Sequence, residues 1–235
     1  MSKIRTAALG VVSALAIGTC AVVNADQAAA ASCHISVSGL PTKVSIDGNT
    51  RVYSFRGSKS GCSSLDSEYS YVTASIVGPN SSTRVQDSYV MAGFDSNEKY
   101  YLFSDEWRAG SYKVVDGGST VVNDDYDDLS YTWNVKSMAA KYDANISLSA
   151  SRSGSKVKIS GAVKRYSPAA WDYVNQNRYV YIQRYSGGTW KNLKVVKSPS
   201  GRYSYTYSTK SSYKYRAKLA EKSDTWASTS RTVTK

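Results

Sequence analysis

Few residues in this chain have the types and spacing that chemistry requires. A serine or cysteine nucleophile needs a base to take its proton, usually a histidine held by a third group. The one histidine is His34, next to Cys33, and no G-x-S-x-G elbow occurs. Ser153-Gly154-Ser155-Lys156 satisfies S-x-x-K, but the pattern is short, the chain is serine-rich and the companion motifs of penicillin-binding enzymes are missing. A glycosidase would need two carboxyls across a cleft. Carboxylates occur in the first half, yet nothing in their spacing singles out a pair. The segment Asn123-Asp124-Asp125-Tyr126-Asp127-Asp128 offers oxygen ligands for a hard cation such as calcium. Asp124, Asp125, Asp127 and Asp128 are therefore the metal candidates, against the alternative of a solvated acidic turn. The segment lacks the glycine at the sixth place and the glutamate at the twelfth that an EF-hand loop uses. The expectation is a non-enzymatic protein without a cofactor.

Binding chemistry is better represented. In GRYSYTYSTKSSYKYRAKL, tyrosines stand at 203, 205, 207, 213 and 215, with Lys214, Arg216 and Lys218 among them. Strand side chains alternate. If Tyr213, Tyr215, Ala217 and Leu219 face a core, Lys214, Arg216 and Lys218 face outward, and Lys156 and Lys158 project likewise from KVKI. These five are the candidate polyanion-binding set, because concentrated charge of one sign attracts polyanions in a salt-dependent way. Exposed aromatics would stack on sugar rings: Trp171, Trp190, Trp226, Tyr179, Tyr181 and Tyr185 are available, and Trp171, in the loop-like SPAAWDYVNQN, is the one expected to be exposed.

The elements that would position these residues are strands. Short segments of alternating polarity are separated by Gly, Ser, Asn and Asp, with no long helical-period run, an all-β pattern. Strands are expected around 34–38, 51–56, 69–77, 84–91, 99–103, 111–115 and 130–135, then 145–148, 156–164, 178–185, 189–196, 202–207, 213–219 and 226–233. In 69–77, Val72, Ala74 and Ile76 would face the core, and Tyr71, Thr73 and Ser75 the solvent. Seven strands in each half suit two β-sandwiches better than one barrel. Charge divides the chain similarly. From Cys33 to Tyr142 there are 10 Lys and Arg against 13 Asp and Glu; from Asp143 to Lys235 there are 18 against 4. The expected boundaries are an acidic first domain, 32–141, and a basic second domain, 142–235, joined by a short connection at Met138–Asp143. Gly110-Ser111-Tyr112 and Gly201-Arg202-Tyr203 form a weak internal echo in which glycine turns the chain into a strand that an aromatic anchors.

The N-terminal segment 1–31 reads as a secretory signal peptide: Lys3 and Arg5, an apolar run from Ala7 to about Val23, then small residues with cleavage expected after Ala25, Ala30 or Ala31. A retained membrane anchor and a lipoprotein site at Ile17–Cys20 are the alternatives; the run is shorter than the ~20 residues a span wants. Export leaves Cys33 and Cys62 as an even pair in an oxidising compartment, so one disulfide is expected. Closing that loop would contribute about 3 to 3.5 kcal/mol in the chain-entropy model. Two cysteines and His34 lack the four-ligand set of structural zinc.

One resemblance accompanies these readings. The last ninety or so residues, with Val157, Gly161 and Val163, then Val180, Ile182, Gln183 and Arg184, then Gly188 and Trp190, Gly201 and Tyr203, and Tyr215 and Arg216, resemble the immunoglobulin-like β-sandwich modules of secreted actinobacterial proteins. The first half resembles them only through its strand pattern and WRAGSYKVV. The resemblance implies tandem immunoglobulin-like sandwiches with accessory, adhesive or spacer roles, no catalytic residues, and a core position for Trp190. The functional expectation is a secreted or cell-wall-associated binding protein whose basic domain contacts an anionic envelope polymer or other extracellular polyanion. A protein-binding inhibitor or accessory module, an inert spacer and a small hydrolase are the alternatives.

Overall fold

The computed structural model describes residues 33–79, 90–94, 99–103 and 107–235; the segment expected to be a signal peptide and most of the strand expected at 84–91 lie outside these. In the first half, β1 (Cys33–Ser38) pairs antiparallel with β3 (Arg51–Ser60), which pairs with β6 (Lys99–Phe103). β8 (Tyr131–Trp133) joins the other edge of β1 in parallel. The facing sheet runs in the order β2 (Lys43–Ile46), β9 (Lys136–Tyr142), β7 (Gly110–Asp116), β4 (Val72–Val77) and β5 (Val90–Ala92). Ile35, Val37 and Phe55 from the first sheet meet Val44, Ile46, Val72, Ala74, Ile76, Tyr112, Val114, Met138 and Ala140 from the second.

Cys33 and Cys62 form the expected disulfide, with Cα atoms 4.4 Å apart. It closes the end of the β1–β3 ladder, where His34 stands opposite Ser60. Strand β4 departs from expectation, because Thr73 and Ser75 are buried as well as Val72, Ala74 and Ile76. The chain after β7 covers their side: Gly117 donates its N–H to Thr73 O at 2.6 Å, and Ser119 Oγ receives the Thr73 N–H.

The second half forms two more sheets. One is centred on β12 (Lys156–Ser167), with β10 (Ala144–Ile146) and β11 (Ser149–Ser153) along one edge and β16 (Arg202–Ser208) and β13 (Asp172–Asn175) along the other. The facing sheet has β15 (Thr189–Lys197), β14 (Tyr179–Ser186) and β17 (Lys214–Leu219), with β18 (Ser228–Thr229) and β19 (Val233–Thr234) on the far edge of β17. Chain order therefore alternates between sheets: β10 to β13 share one sheet, β14 and β15 lie opposite, β16 returns to the first sheet, and β17 to β19 lie opposite again. That is the Greek-key arrangement of an immunoglobulin-like sandwich, and the chain is all-β with two such sandwiches in tandem. Its core is Ile146, Val157, Ile159, Val163, Val180, Ile182, Tyr203, Tyr215, Ala217 and Leu219.

The short connection expected at Met138–Asp143 is largely strand: β9 fills it to Tyr142, Met138 and Ala140 are buried, and β10 begins at Ala144. Two aromatics of the second half also cross the seam. Tyr166 belongs to the first apolar cluster, and Trp226 Nε1 donates to Val44 O at 3.0 Å. Tyr112 and Tyr203 are both buried as the echo implies, yet they occupy non-equivalent strands, β7 pairing with β4 and β9, and β16 pairing with β12. The echo is one of local turn chemistry.

Candidate functional site

The tyrosines of the basic stretch 201–219 are core residues first. Tyr203 and Tyr215 are 4% and 0% exposed, and Tyr205 and Tyr207 lie partly buried beside them. Tyr207 and Tyr215 share a hydroxyl–hydroxyl hydrogen bond of 2.6 Å across the sandwich. Alternation then sends Lys214 and Lys218 outward from β17, and Lys156 and Lys158 outward from β12, all exposed.

The structure does not bring the five basic candidates together. β12 and β17 lie in opposite sheets, so side chains turned away from the shared core leave on opposite faces. Lys156 and Lys158 stand in a hydroxyl-rich lattice, flanked by Ser153 and Ser208 and by Ser151 and Thr206. Arg216 is also not the diffuse contact expected: it is half-buried, its Nε donates to Gln183 Oε1 at 2.8 Å, and its guanidinium lies 4.3 Å from the Trp190 ring centre.

Trp190 itself lies half-buried on the outer face with Tyr185, ring centres 5.3 Å apart, and not in the core. The cause is a bulge. Val180 pairs with Val196 and Ile182 with Lys194, but Gln183 pairs with Asn192, skipping Leu193. One extra residue inverts which side chains face the core. Without it, Trp190 would share the inward parity of Val196.

The result is a strip of aromatics along β14. Tyr179, Tyr181, Gln183 and Tyr185 alternate outward, with Lys218 and Arg216 opposite Tyr181 and Gln183 on one side and Lys197, Val195, Asn192 and Trp190 on the other. Tyr179 is 58% exposed and Val195 42%; Lys197 Nζ lies 5.6 Å from the Tyr179 ring centre. Lys197 and Val195 were missed in the sequence; the register set by the hairpin turn would have paired Tyr179 and Tyr181 with Val196 and Lys194, and the bulge shifts that pairing by one residue. At the end of the strip nearer the first sandwich is a cavity of about 610 Å³, lined by Arg178, Tyr179, Tyr181, Lys197, Glu221 and Lys222 among others.

The acids explain why the strip is so cationic. The second half has four, and all lie towards the seam. Asp143 accepts from Tyr173 OH at 2.8 Å, and Asp172 from the Tyr173 N–H. Glu221 pairs with Lys141 at 2.6 Å, and Asp224 with Arg165 at 2.7 Å. Among the described residues, none of Lys156, Lys158, Lys214, Arg216 and Lys218 is in an ion pair.

The remaining candidates separate. Trp171 is exposed, 65%, and its left-handed backbone (φ 50°) ends the short 3-10 turn Pro168–Ala170. The S-x-x-K pattern is a hairpin turn: Ser153 and Lys156 are exposed cross-strand partners around Gly154. His34 is exposed, with Nδ1 against Thr132 Oγ1. Asp124, Asp125, Asp127 and Asp128 are exposed around a turn in which Asn123 Oδ1 accepts the N–H groups of Asp125 and Asp127. Among the described residues no group of three or more His, Cys, Asp and Glu side chains is placed to hold a metal ion.

No protein-family model and no curated protein sequence matches the chain. Among solved structures it is similar to the fibronectin(III)-like modules of Clostridium thermocellum CbhA, at 10% identity over 85% of this chain and 90% of that one, with a TM-score of 0.31. It is also similar to the human OSCAR ligand-binding domain, at 12% over 85% and 97% (TM-score 0.27), and to the D00-D0 domain of Intimin, at 14% over 85% and 98% (TM-score 0.27). At these scores none of them bears on what this chain binds.

Proposed function

We propose that the protein is an exported, non-enzymatic binding protein whose basic second domain, 142–235, attaches it to an anionic polymer of the cell envelope, with the acidic first domain, 32–141, held away from that surface. The observation that carries this reading is the placement of charge. Eighteen cations stand against four acids in the second half, and the acids are gathered at the seam, so both outer faces of the sandwich present unneutralised lysine. Such a surface attracts polyanions at long range. The Cys33–Cys62 bond supports export to an oxidising compartment. Among the described residues no helix is long and apolar enough to cross a membrane.

The test is sedimentation of the exported chain with insoluble bacterial cell walls, before and after extraction of their anionic polymers. Binding should fall steeply as added salt shortens the Debye length from ~30 Å to ~3 Å, and extraction should abolish it. Salt-insensitive binding, or binding that survives extraction, would overturn the reading in favour of a packed protein interface.

A further inference from the structure

The cavity at the end of the β14 strip contains a buried cation that, among the described residues, forms no ion pair. Arg178 is 8% exposed. Its Nη2 donates to Ala220 O at 2.6 Å, and its backbone N–H donates to the Oγ of fully buried Ser198 at 2.9 Å. Among the described residues the ion pairs are Asp47–Arg51, Lys141–Glu221 and Arg165–Asp224; none includes Arg178. The Nε atoms of Arg165 and Arg184 are buried without partners, whereas no nitrogen of Arg178 is. Those not bonded to Ala220 therefore keep some accessible surface, and Arg178 is one of the residues lining the cavity. Burial holds the Arg178 pKa below its ordinary value, with Asp224 opposing that shift and Arg165 adding to it. A guanidinium has five donors in a fork that matches an oxyanion with two parallel bonds.

The walls have a second chemistry. Tyr179 and the half-buried Tyr181 present aromatic surface with polar edges, which suits the C–H face of a sugar ring whose hydroxyls stay wet. Lys197 and Lys222 add positive charge at the rim. The one carboxylate in the lining, Glu221, is turned to Lys141. A volume of about 610 Å³ lies within the usual range for a small-molecule site.

We propose that this cavity takes one anionic pyranose unit, a sugar bearing a carboxylate or a phosphate, with its oxyanion on Arg178 and Lys197 and its ring against Tyr179 and Tyr181. The proposal rests on the anionic-polymer reading and names the unit that the polymer would present.

The test titrates the exported chain with glucuronate, glucose 6-phosphate, glucose and inorganic phosphate, read by amide shifts at residues 178–181, 197 and 220–222. At least one anionic sugar should saturate these shifts, and the tighter of the two identifies the oxyanion. Glucose and inorganic phosphate should bind about tenfold more weakly or less well still, as loss of one stacking or charge contact implies. Tyr179→Ala and Lys222→Ala, both at exposed positions, should each weaken the anionic sugar, and Lys156→Ala, on the opposite face, should not. Arg178→Lys should weaken it most; if that variant fails to fold, the two exposed variants decide. Binding of glucose or inorganic phosphate as tight as the sugar acid, or no effect of Tyr179→Ala, would overturn the proposal. Wall attachment that persists in Tyr179→Ala while no monosaccharide binds would overturn the cavity alone and leave the attachment reading standing.

Discussion

Gly161 stands where a side chain has no room. A Cβ there would lie 2.0 Å from Ser147 O and 2.6 Å from the Tyr203 hydroxyl, which itself donates to Ser147 O at 2.6 Å. The glycine lets β12 pass close enough for that bond to form. Gly161→Ala must push backbone aside, so a loss of more than about 2 kcal/mol is expected in denaturant unfolding, towards the upper part of the usual range for single substitutions. Tyr207 and Tyr215 pose a different residue-scale question, because each hydroxyl is the other's partner. Tyr207→Phe leaves the Tyr215 hydroxyl in the core without that bond and should cost about 1 to 3 kcal/mol. Both positions were visible as motif letters, but the sequence holds no trace of the carbonyl or hydroxyl each one meets.

At the scale of elements, the turn after β7 makes the first sandwich sensitive to pH. Burial works to raise the Asp116 pKa, but hydrogen bonds from Tyr131, Ser119 and Gly118 outweigh it and hold the carboxyl below its ordinary 3.8. A depressed carboxyl contributes stability above its unfolded value and loses it as pH falls through the folded one. Tyr131 moves the other way: burial first, then Asp116, push its phenol up to about 12. The neutral phenol favours the fold, so its contribution is complete below the unfolded value of 10.0 and fades as pH climbs from there towards about 12. Thermal melts should therefore fall below pH ~4 and again above pH ~10, and Asp116→Asn should flatten the acid limb. A melting temperature indifferent to pH in both ranges would contradict the turn's role. Strands β1, β7, β12, β14, β16 and β17 were legible from alternation because one face of each is apolar. β2 and β13 were not, being four residues each, and β9 was mistaken for a connection because MAAKY has no strict alternation.

Across the whole molecule, the seam makes the two sandwiches depend on each other. Trp226 is its hub: the indole donates to Val44 O, and Lys43 and Lys141 place their ammonium groups 5.4 and 4.9 Å from its ring centre. Tyr166 adds a fully packed ring to the first core. The intact protein should unfold in one calorimetric transition. Trp226→Ala removes the hub and should separate it into two, each assignable by its own reporter, and a single unchanged transition would show that the seam transmits no cooperativity.

Alternation, cysteine pairing and the charge of each half could be read from the residues alone, because each depends on local spacing or simple counting. The all-β class, the Cys33–Cys62 bond and the outward lysines came from these, and the exposure of Trp171 from its loop-like setting. Alternation separates the two sides of one strand but says nothing about which sheet that strand joins. Only the tertiary structure could put Lys156 and Lys214 on opposite faces, invert Trp190 through a bulge beside Leu193, gather the acids at the seam and leave Arg178 buried beside an open cavity. Those outcomes depend on pairings between residues far apart in the chain, and long-range pairing is decided by how whole faces pack.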